Sequence, residues 1–440
     1  MITLVLFGLF FLLILLSVPI AISLGITSIV ALYLIDGTTG LTLIGSIMYT
    51  SISKFTLLAI PFFILAGVIM EHSGISRRLI NFAQALVGHF KSGIVFVTVF
   101  VALFFAAISG SGPATVAAIG SILIPALVRN GYTKETASSL VASSGSVGII
   151  IPPSIAFIVF AVVAGDQIDV TIGRLFIAGI VPGVLLALAL IITTLIVRRR
   201  NDQKLVTNDQ PLKQERASLS EIGKAFLSAF WGLLIPIIIL GGIYSGYFTP
   251  TEAAVVAVFY GLFVGIVIYR ELSIKKLYRV FVEASLQTAV IMFIVSAASL
   301  FAHIITSERI ARDIADSMLT LTENPIIILL MINLLLLVAG AFIDAISAFY
   351  IFVPIVLPVL LFIEVDPTVI GVLMTVNLAI GLFTPPVGLN LYVASGISGA
   401  SLASLSKSII PYLIASIIVL FMITYIPSIS TFLPNLLGID

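Results

Sequence analysis

The sequence predicts an all-α polytopic membrane protein built from two inverted-topology repeats, each carrying a re-entrant hairpin and a broken helix. Three observations predict it. First, 60% of the 440 residues are hydrophobic and only 9% are charged, with a mean hydropathy of +1.27, whereas soluble globular chains carry about 25% charged residues. Second, Pro-Pro occurs only at Pro152-Pro153 and Pro385-Pro386, and both pairs lie inside apolar stretches. Third, these pairs stand 233 residues apart, an offset shared by Pro125 with Pro358 and by Gly148 with Gly381. Ser76-Arg77-Arg78 and Ser307-Glu308-Arg309 recur at an offset of 231.

The first charge is Asp36 and the first basic residue Lys54. The opening apolar segment therefore lacks the basic n-region of a cleaved leader and is expected to be retained. Ile2 to Ile35 fits one long tilted span or two short ones turning near Pro19, and symmetry with the second half favours two, with the N-terminus outside. The first repeat is read over 1–200 and the second over 225–440. Between them, 201–224 forms a polar linker. Seven of the 21 basic residues fall between Arg198 and Lys224, which places this linker in the cytoplasm by the positive-inside rule.

In the second half, apolar segments at about 228–247 and 252–269 lead out and back to Arg270, Lys275, Lys276 and Arg279, and a span at about 286–305 exits again. From Ser307 to Glu323, Ile310, Ile314, Met318 and Leu321 recur at helical spacing among charges, the pattern of an interface-lying helix. Pro325 to Ile363 is too long for one span of about 20 residues, and its centre, Gly340 to Asp344, is polar. It reads as a hairpin over about 325–363 entering from outside. A broken helix over about 368–397, interrupted at Gly381-Leu382-Phe383-Thr384-Pro385-Pro386, and a last span at about 409–427 complete this half. Carried back by the repeat, the inner hairpin covers about 93–128, with its tip at Ser109-Gly110-Ser111-Gly112-Pro113, and the first broken helix about 136–165. Arg77, Arg78, Lys91, Arg129 and Lys134 flank that hairpin, so it opens to the cytoplasm.

Enzyme chemistry finds no support. His72, His89 and His303 are scattered, there is no cysteine, and Gly110-Ser111-Gly112-Pro113 lacks the Gly-Lys-Ser/Thr ending of a phosphate-binding loop. A net charge of +1 offers no field for nucleic acid. What remains is backbone-rich turns at membrane depth. Proline leaves carbonyls without a helical partner, tolerable in lipid only where they line a cavity or bind something. Carbonyls and small hydroxyls at such breaks form oxygen cages for Na⁺, while half-helix N-termini attract an anion. One cage draws on Ser109 and the break from Gly148 to Pro153. The other draws on Gly340 and the break from Gly381 to Pro386, where Thr384 takes the place of Ile151. Packing or hinge glycines are the alternative reading. Asp344, an ionisable residue at bilayer depth whose repeat partner is Ser111, is either a functional group or the N-cap of a half-helix beginning at Ala345. Ser154 faces the same choice, and its partner is Val387.

The runs ISGSGPATVAAIG at 108–120, GSVGIIIPPS at 145–154 and GLFTPPVGLN at 381–390 resemble the large membrane subunit of tripartite ATP-independent periplasmic (TRAP) transporters, over essentially the whole chain. The resemblance implies an elevator-type, Na⁺-coupled importer of a small organic anion in the bacterial inner membrane, with Na⁺ as coupling ion and no other cofactor. Its implied partners are membrane lipid, a small four-helix membrane subunit and a periplasmic substrate-binding protein. It further implies one sodium site at Ser109, Gly148, Ile151 and Pro153, a second at Gly340, Gly381, Thr384 and Val387, and substrate contacts at Ser111, Ser154 and Asp344. Ala106 departs from the family pattern, in which many relatives place a serine. A stand-alone Na⁺/dicarboxylate or citrate carrier is the nearest rival, and an ion channel or scaffold subunit the remoter one. Sialic acid, C4-dicarboxylates, sulfonates and keto acids all fit such a site.

Overall fold

A computed structural model describes residues 2–202 and 217–439 apart from Lys91 and Asp166, with the side chains of 106–109 and 200–202 also outside the description. Most of the cytoplasmic linker expected at 201–224 thus lies outside the described residues. Among those described, the chain forms helices only, and nine are long and apolar enough to cross a membrane. Leu402–Ser408 and Ile410–Tyr425, bent by 49°, together make a tenth.

The chain opens with two helices, Ile2–Leu15 and Ile20–Ile52, which pack together across a turn ending at Pro19. Proline has no N–H to contribute, so the chain breaks there without losing a helical donor. The second of these helices kinks at Gly37, whose φ of 60° only glycine adopts at ease. Next come Ala59–His72 and an amphipathic helix, Ile75–Val87, which buries Ile75, Leu79, Ile80 and Ala83 on one stripe. That helix starts after Gly74 in the left-handed conformation, and its counterpart Ile310–Leu321 starts after Arg309 in the same conformation.

Two expected boundaries move. The helix read from residue 228 begins at Leu219, because Ser218 and Glu221 form a reciprocal capping box that fixes the start upstream of the apolar run. The span read from residue 286 is part of one continuous helix, Ile274–Ser307, capped by Ser273. Lys275, Lys276 and Arg279 therefore sit on its first turns instead of in a loop. At 34 residues and about 1.5 Å per residue, it outreaches the bilayer core and carries those charges into the headgroups.

A helix–turn–helix followed by an interrupted helix occurs twice along the chain. The first is Gly93–Ser109 and Gly112–Arg129, then Lys134–Ser146, a short 3₁₀ turn Val147–Ile149, and Ile155–Ala164. The second is Pro325–Phe342 and Ala345–Phe362, then Pro367–Gly381 and Leu389–Ser398. Adding 233 to Gly112–Arg129 gives Ala345–Phe362 at both ends. Both Pro152-Pro153 and Pro385-Pro386 peptide bonds are cis.

The two halves interlock. Gly112–Arg129 packs on Leu389–Ser398, and Ala345–Phe362 packs on Ile155–Ala164, where Phe160 and Phe349 meet edge-to-face at 5.7 Å. Around them, Ile274–Ser307 runs along Ile20–Ile52 and against Ala345–Phe362. Ile172–Asp202 packs on Pro367–Gly381, Ile410–Tyr425 and the short helix Ser428–Leu436. Arg174 fastens that corner, donating to Thr368 Oγ1 at 2.8 Å, to Asn435 Oδ1 at 3.0 Å and to the Ile439 carbonyl.

Candidate functional site at the paired helix breaks

At the second break the hairpin tip and the interrupted helix touch backbone to backbone. A Cβ on Gly381 would lie 2.4 Å from the Gly340 carbonyl carbon and 2.6 Å from its oxygen, so only glycine fits. The Gly388 N–H donates to the Ala341 carbonyl at 3.2 Å, closing the other side. Between them, the Thr384 N–H donates to Gly381 O at 2.9 Å, and its hydroxyl donates to Ile380 O at 2.7 Å. A hydroxyl that has given away its proton keeps its lone pairs for a cation. The structure thus brings Gly340, Gly381 and Thr384 together, with Val387 immediately before Gly388. Thr384 and Val387 are half-buried and Pro386 is exposed.

At the first break the turn Val147–Ile149 packs against Gly93–Ser109, and a Cβ on Gly110 would lie 3.2 Å from the Ile155 nitrogen. Gly148, within this turn, and Pro153, just after it, are both buried. Ile151 points its side chain at Gly183, whose Cβ would fall 2.4 Å from Ile151 Cδ1. What Ile151 can offer an ion is therefore its backbone oxygen. The helix containing Ser109 ends at that residue, but its side chain lies outside the described residues, as does that of Ala106.

The two breaks are neighbours. A Cβ on Gly112 would lie 2.8 Å from Leu382 and 3.1 Å from Asn390 Oδ1, while Asn390 Nδ2 donates to the Ala142 carbonyl at 2.9 Å. Asn390 is wholly buried and its Oδ1 has no hydrogen-bond partner, an arrangement that costs about 1–3 kcal/mol unless something else satisfies it. This residue ties the second broken helix to the first hairpin and the first broken helix at once. Sequence reasoning passed over it, although it closes the GLFTPPVGLN run.

The three residues singled out for substrate are all half-helix N-caps. Asp344 Oδ1 accepts from the Ile346 and Ser347 N–H groups at 2.9 and 3.0 Å, and its Oδ2 accepts from the Ser347 hydroxyl at 2.6 Å. Ser154 accepts from the Phe157 N–H at 3.3 Å and donates to the Ile149 carbonyl, fully buried. Ser111 precedes Gly112–Arg129 in extended conformation, its carbonyl accepting from the Thr115 N–H and hydroxyl. With Gly388 ahead of Leu389–Ser398, four half-helix N-termini belong to this region, each with orphan N–H groups and partial positive charge suited to an anion.

A second buried polar cluster, also missed from sequence, braces the site from behind. Asn377 donates to Asn333 Oδ1 at 2.7 Å and to Leu373 O at 2.9 Å, and Asn333 donates to Thr424 Oγ1 at 3.1 Å. It joins the outer hairpin, the second broken helix and the last span. Among the described residues no group of three or more His, Cys, Asp or Glu side chains is placed to hold a metal ion.

Such a fold, with interrupted helices meeting at a polar junction inside an apolar bundle, defines a multi-pass membrane protein of transporter architecture. The likeness to solved structures agrees. The Alcanivorax borkumensis YdaH transporter superposes with a TM-score of 0.62 at 16% identity, over 89% of each chain. Neisseria gonorrhoeae MtrF does so with a TM-score of 0.59 at 16% identity, over 88% of this chain and 84% of that one. The chain belongs to the tripartite ATP-independent periplasmic transporter family, DctM component, whose model matches residues 7–429. It is 45% identical to the isethionate TRAP transporter permease protein DctMQ of Oleidesulfovibrio alaskensis, over 97% of this chain and 66% of that protein. It is 43% identical to the C4-dicarboxylate TRAP transporter large permease protein DctM of Pseudomonas aeruginosa, over 89% of each. The sialic acid TRAP transporter permease protein SiaT of Haemophilus influenzae is 35% identical, over 88% of this chain and 61% of that one. Family and spans together make this a multi-pass protein of the bacterial inner membrane, and relatives that are transporter permeases point away from an enzyme.

Proposed function

We propose that this chain is the large permease subunit of a Na⁺-coupled importer of a small organic anion, working with a small membrane subunit and a periplasmic substrate-binding protein. The observation that supports this most is the meeting of both hairpin tips with both helix breaks: Gly340 on Gly381, Gly110 on Ile155, and Asn390 between Gly112 and Ala142. One Na⁺ sits among oxygens of Ser109, Gly148, Ile151 and Pro153, the other among those of Gly340, Gly381, Thr384 and Val387. Na⁺ binding orders the tips and offsets the repulsion between peptide oxygens. The anion then docks on the half-helix N-termini capped by Ser111, Ser154 and Asp344. Because Asp344 is itself a carboxylate engaged in capping, it suits a hydroxyl, amide or water of the substrate better than the substrate's own carboxylate. The hairpins and broken helices move as one body, an elevator, against the remaining spans, which form the inverted repeats' scaffold. Relatives named for isethionate, C4-dicarboxylates and sialic acid support small carboxylates and sulfonates as the substrate class.

The test is uptake of a panel of such acids into proteoliposomes containing the chain and its small subunit, with the cognate binding protein outside. Accumulation should require both the binding protein and an inward Na⁺ gradient. Accumulation unchanged when K⁺ replaces Na⁺ would remove the coupling, and accumulation without the binding protein would favour a stand-alone carrier.

A further inference from the structure

Beyond the transport site, a cavity of about 580 Å³ opens between the first arm of the inner hairpin and the end of Ile172–Asp202, bordered by Phe90, Ser92, Phe96, Leu195, Arg198 and Arg199. Two features distinguish it from an ordinary crevice between helices. Its mouth is cationic: Arg198 is held in place by the Tyr132 hydroxyl at 2.9 Å, with its guanidinium 4.7 Å above the Tyr132 ring, and Arg199 beside it is exposed. Its approaches are apolar. On the long helix, Val184, Leu188, Ile192 and Ile196 are exposed at four-residue intervals and lead straight to Arg199, and on the hairpin arm Phe96 and Phe100 do the same.

Exposed apolar stripes on a span suit contact with hydrocarbon, and the arginines stand where the apolar part of the span gives way to its basic end, the cytoplasmic side by the charge rule. We propose that this groove binds the headgroup of an anionic phospholipid, with the phosphodiester at Arg198 and Arg199 and the acyl chains along the two stripes. Charge complementarity selects the occupant. A zwitterionic lipid brings an ammonium against the guanidiniums, and a soluble phosphate leaves Phe90 and Phe96 in water. Basic pockets between transmembrane helices on the cytoplasmic side recognise such headgroups. Because one wall is a hairpin of the transport site and the other is the long helix, the lipid would bridge two elements of the fold.

The chain has one tryptophan, Trp231, so the variant Trp231→Phe with Phe96→Trp reports on the groove alone. In the full-length protein, phosphatidylglycerol brominated on its acyl chains should quench this introduced tryptophan at far lower mole fraction than brominated phosphatidylcholine. About fivefold for each arginine gives about 25-fold for the pair. Adding Arg198→Gln and Arg199→Gln should abolish the preference while leaving quenching by phosphatidylcholine in place, which also shows that the variant is folded. Glycerol phosphate should not displace the lipid. Equal quenching by the two lipids, a preference that survives the arginine substitutions, competition by glycerol phosphate, or a protein partner that shields the introduced tryptophan from both lipids would each overturn the proposal. Transport activity is not read, so failure here leaves the Na⁺-coupling reading untouched.

Discussion

Replacing Gly381 by alanine tests the second break where its geometry is tightest. The new methyl would lie 2.4 to 2.6 Å from three backbone atoms of Gly340. Ordinary contact begins near 3.4 Å, so the hairpin tip must withdraw by about 1 Å. No side-chain rotation relieves the clash, since the obstructing atoms are main chain. Overpacking of this kind costs about 1–3 kcal/mol, and displacement by about 1 Å would draw carbonyl oxygens away from the proposed Na⁺ site, whose ligands must close around the ion. The half-saturating Na⁺ concentration for uptake should rise by about 5- to 150-fold, with a matching loss of Na⁺-dependent thermal stabilisation. Gly396→Ala, in the same interrupted helix but with nothing within 4 Å of its Cβ, is the control and should behave as wild type. If Gly381→Ala and Gly396→Ala had equal Na⁺ dependence, the backbone contact would not be part of an ion site.

Further outcomes follow from other contacts. Asp344→Asn keeps an acceptor for the Ile346 and Ser347 N–H groups, so thermal stability should hold within about 1 kcal/mol while Asp344→Ala loses about 1–2 kcal/mol. Substrate or ion contact at Asp344 adds a fall in uptake for Asn at unchanged stability, and full uptake by the Asn variant would reduce the residue to a cap. Asn390→Ala removes the bond to Ala142 and should lower stability by about 1 kcal/mol, with a larger loss of uptake because it separates the two breaks; wild-type transport would contradict its bridging role. Single and double replacements of Asn333 and Asn377 by alanine, followed by thermal unfolding, should give a coupling energy of about 0.5–3 kcal/mol, whereas strict additivity would mean that the 2.7 Å contact contributes nothing.

The sequence disclosed most of what positions the site, because helix breaks at membrane depth need residues that stand out from an apolar background. Pro152-Pro153, Pro385-Pro386 and the glycines beside them marked both interruptions, and the offset of 233 residues carried one hairpin onto the other. Helix ends were less legible. Leu219 starts its helix through a capping box of polar residues that hydropathy overlooks, and Lys275 to Arg279 ride on a helix that simply extends past the lipid. Asn333, Asn377 and Asn390 escaped notice for a different reason. Asn333 and Asn377 carry no periodic or motif signal and Asn390 shows only as the last residue of a motif, so their importance arises when partners distant in sequence, such as Ala142 or Thr424, fold against them. Ser154 and Asp344 were legible as candidate caps, and the half-helix does begin at Ala345, whereas the bond from the Ser154 hydroxyl to the Ile149 carbonyl across the break was not.

Main-chain oxygens at the two interruptions are proposed to hold Na⁺. Hydrogen exchange of the backbone amides in 148–155 and 381–390, compared in NaCl and KCl at equal ionic strength, measures this at the residues concerned. Na⁺ should slow exchange in both segments and in the hairpin tips around Gly110 and Gly340, while Ile274–Ser307 is unaffected. Identical exchange in the two salts at both segments would contradict it.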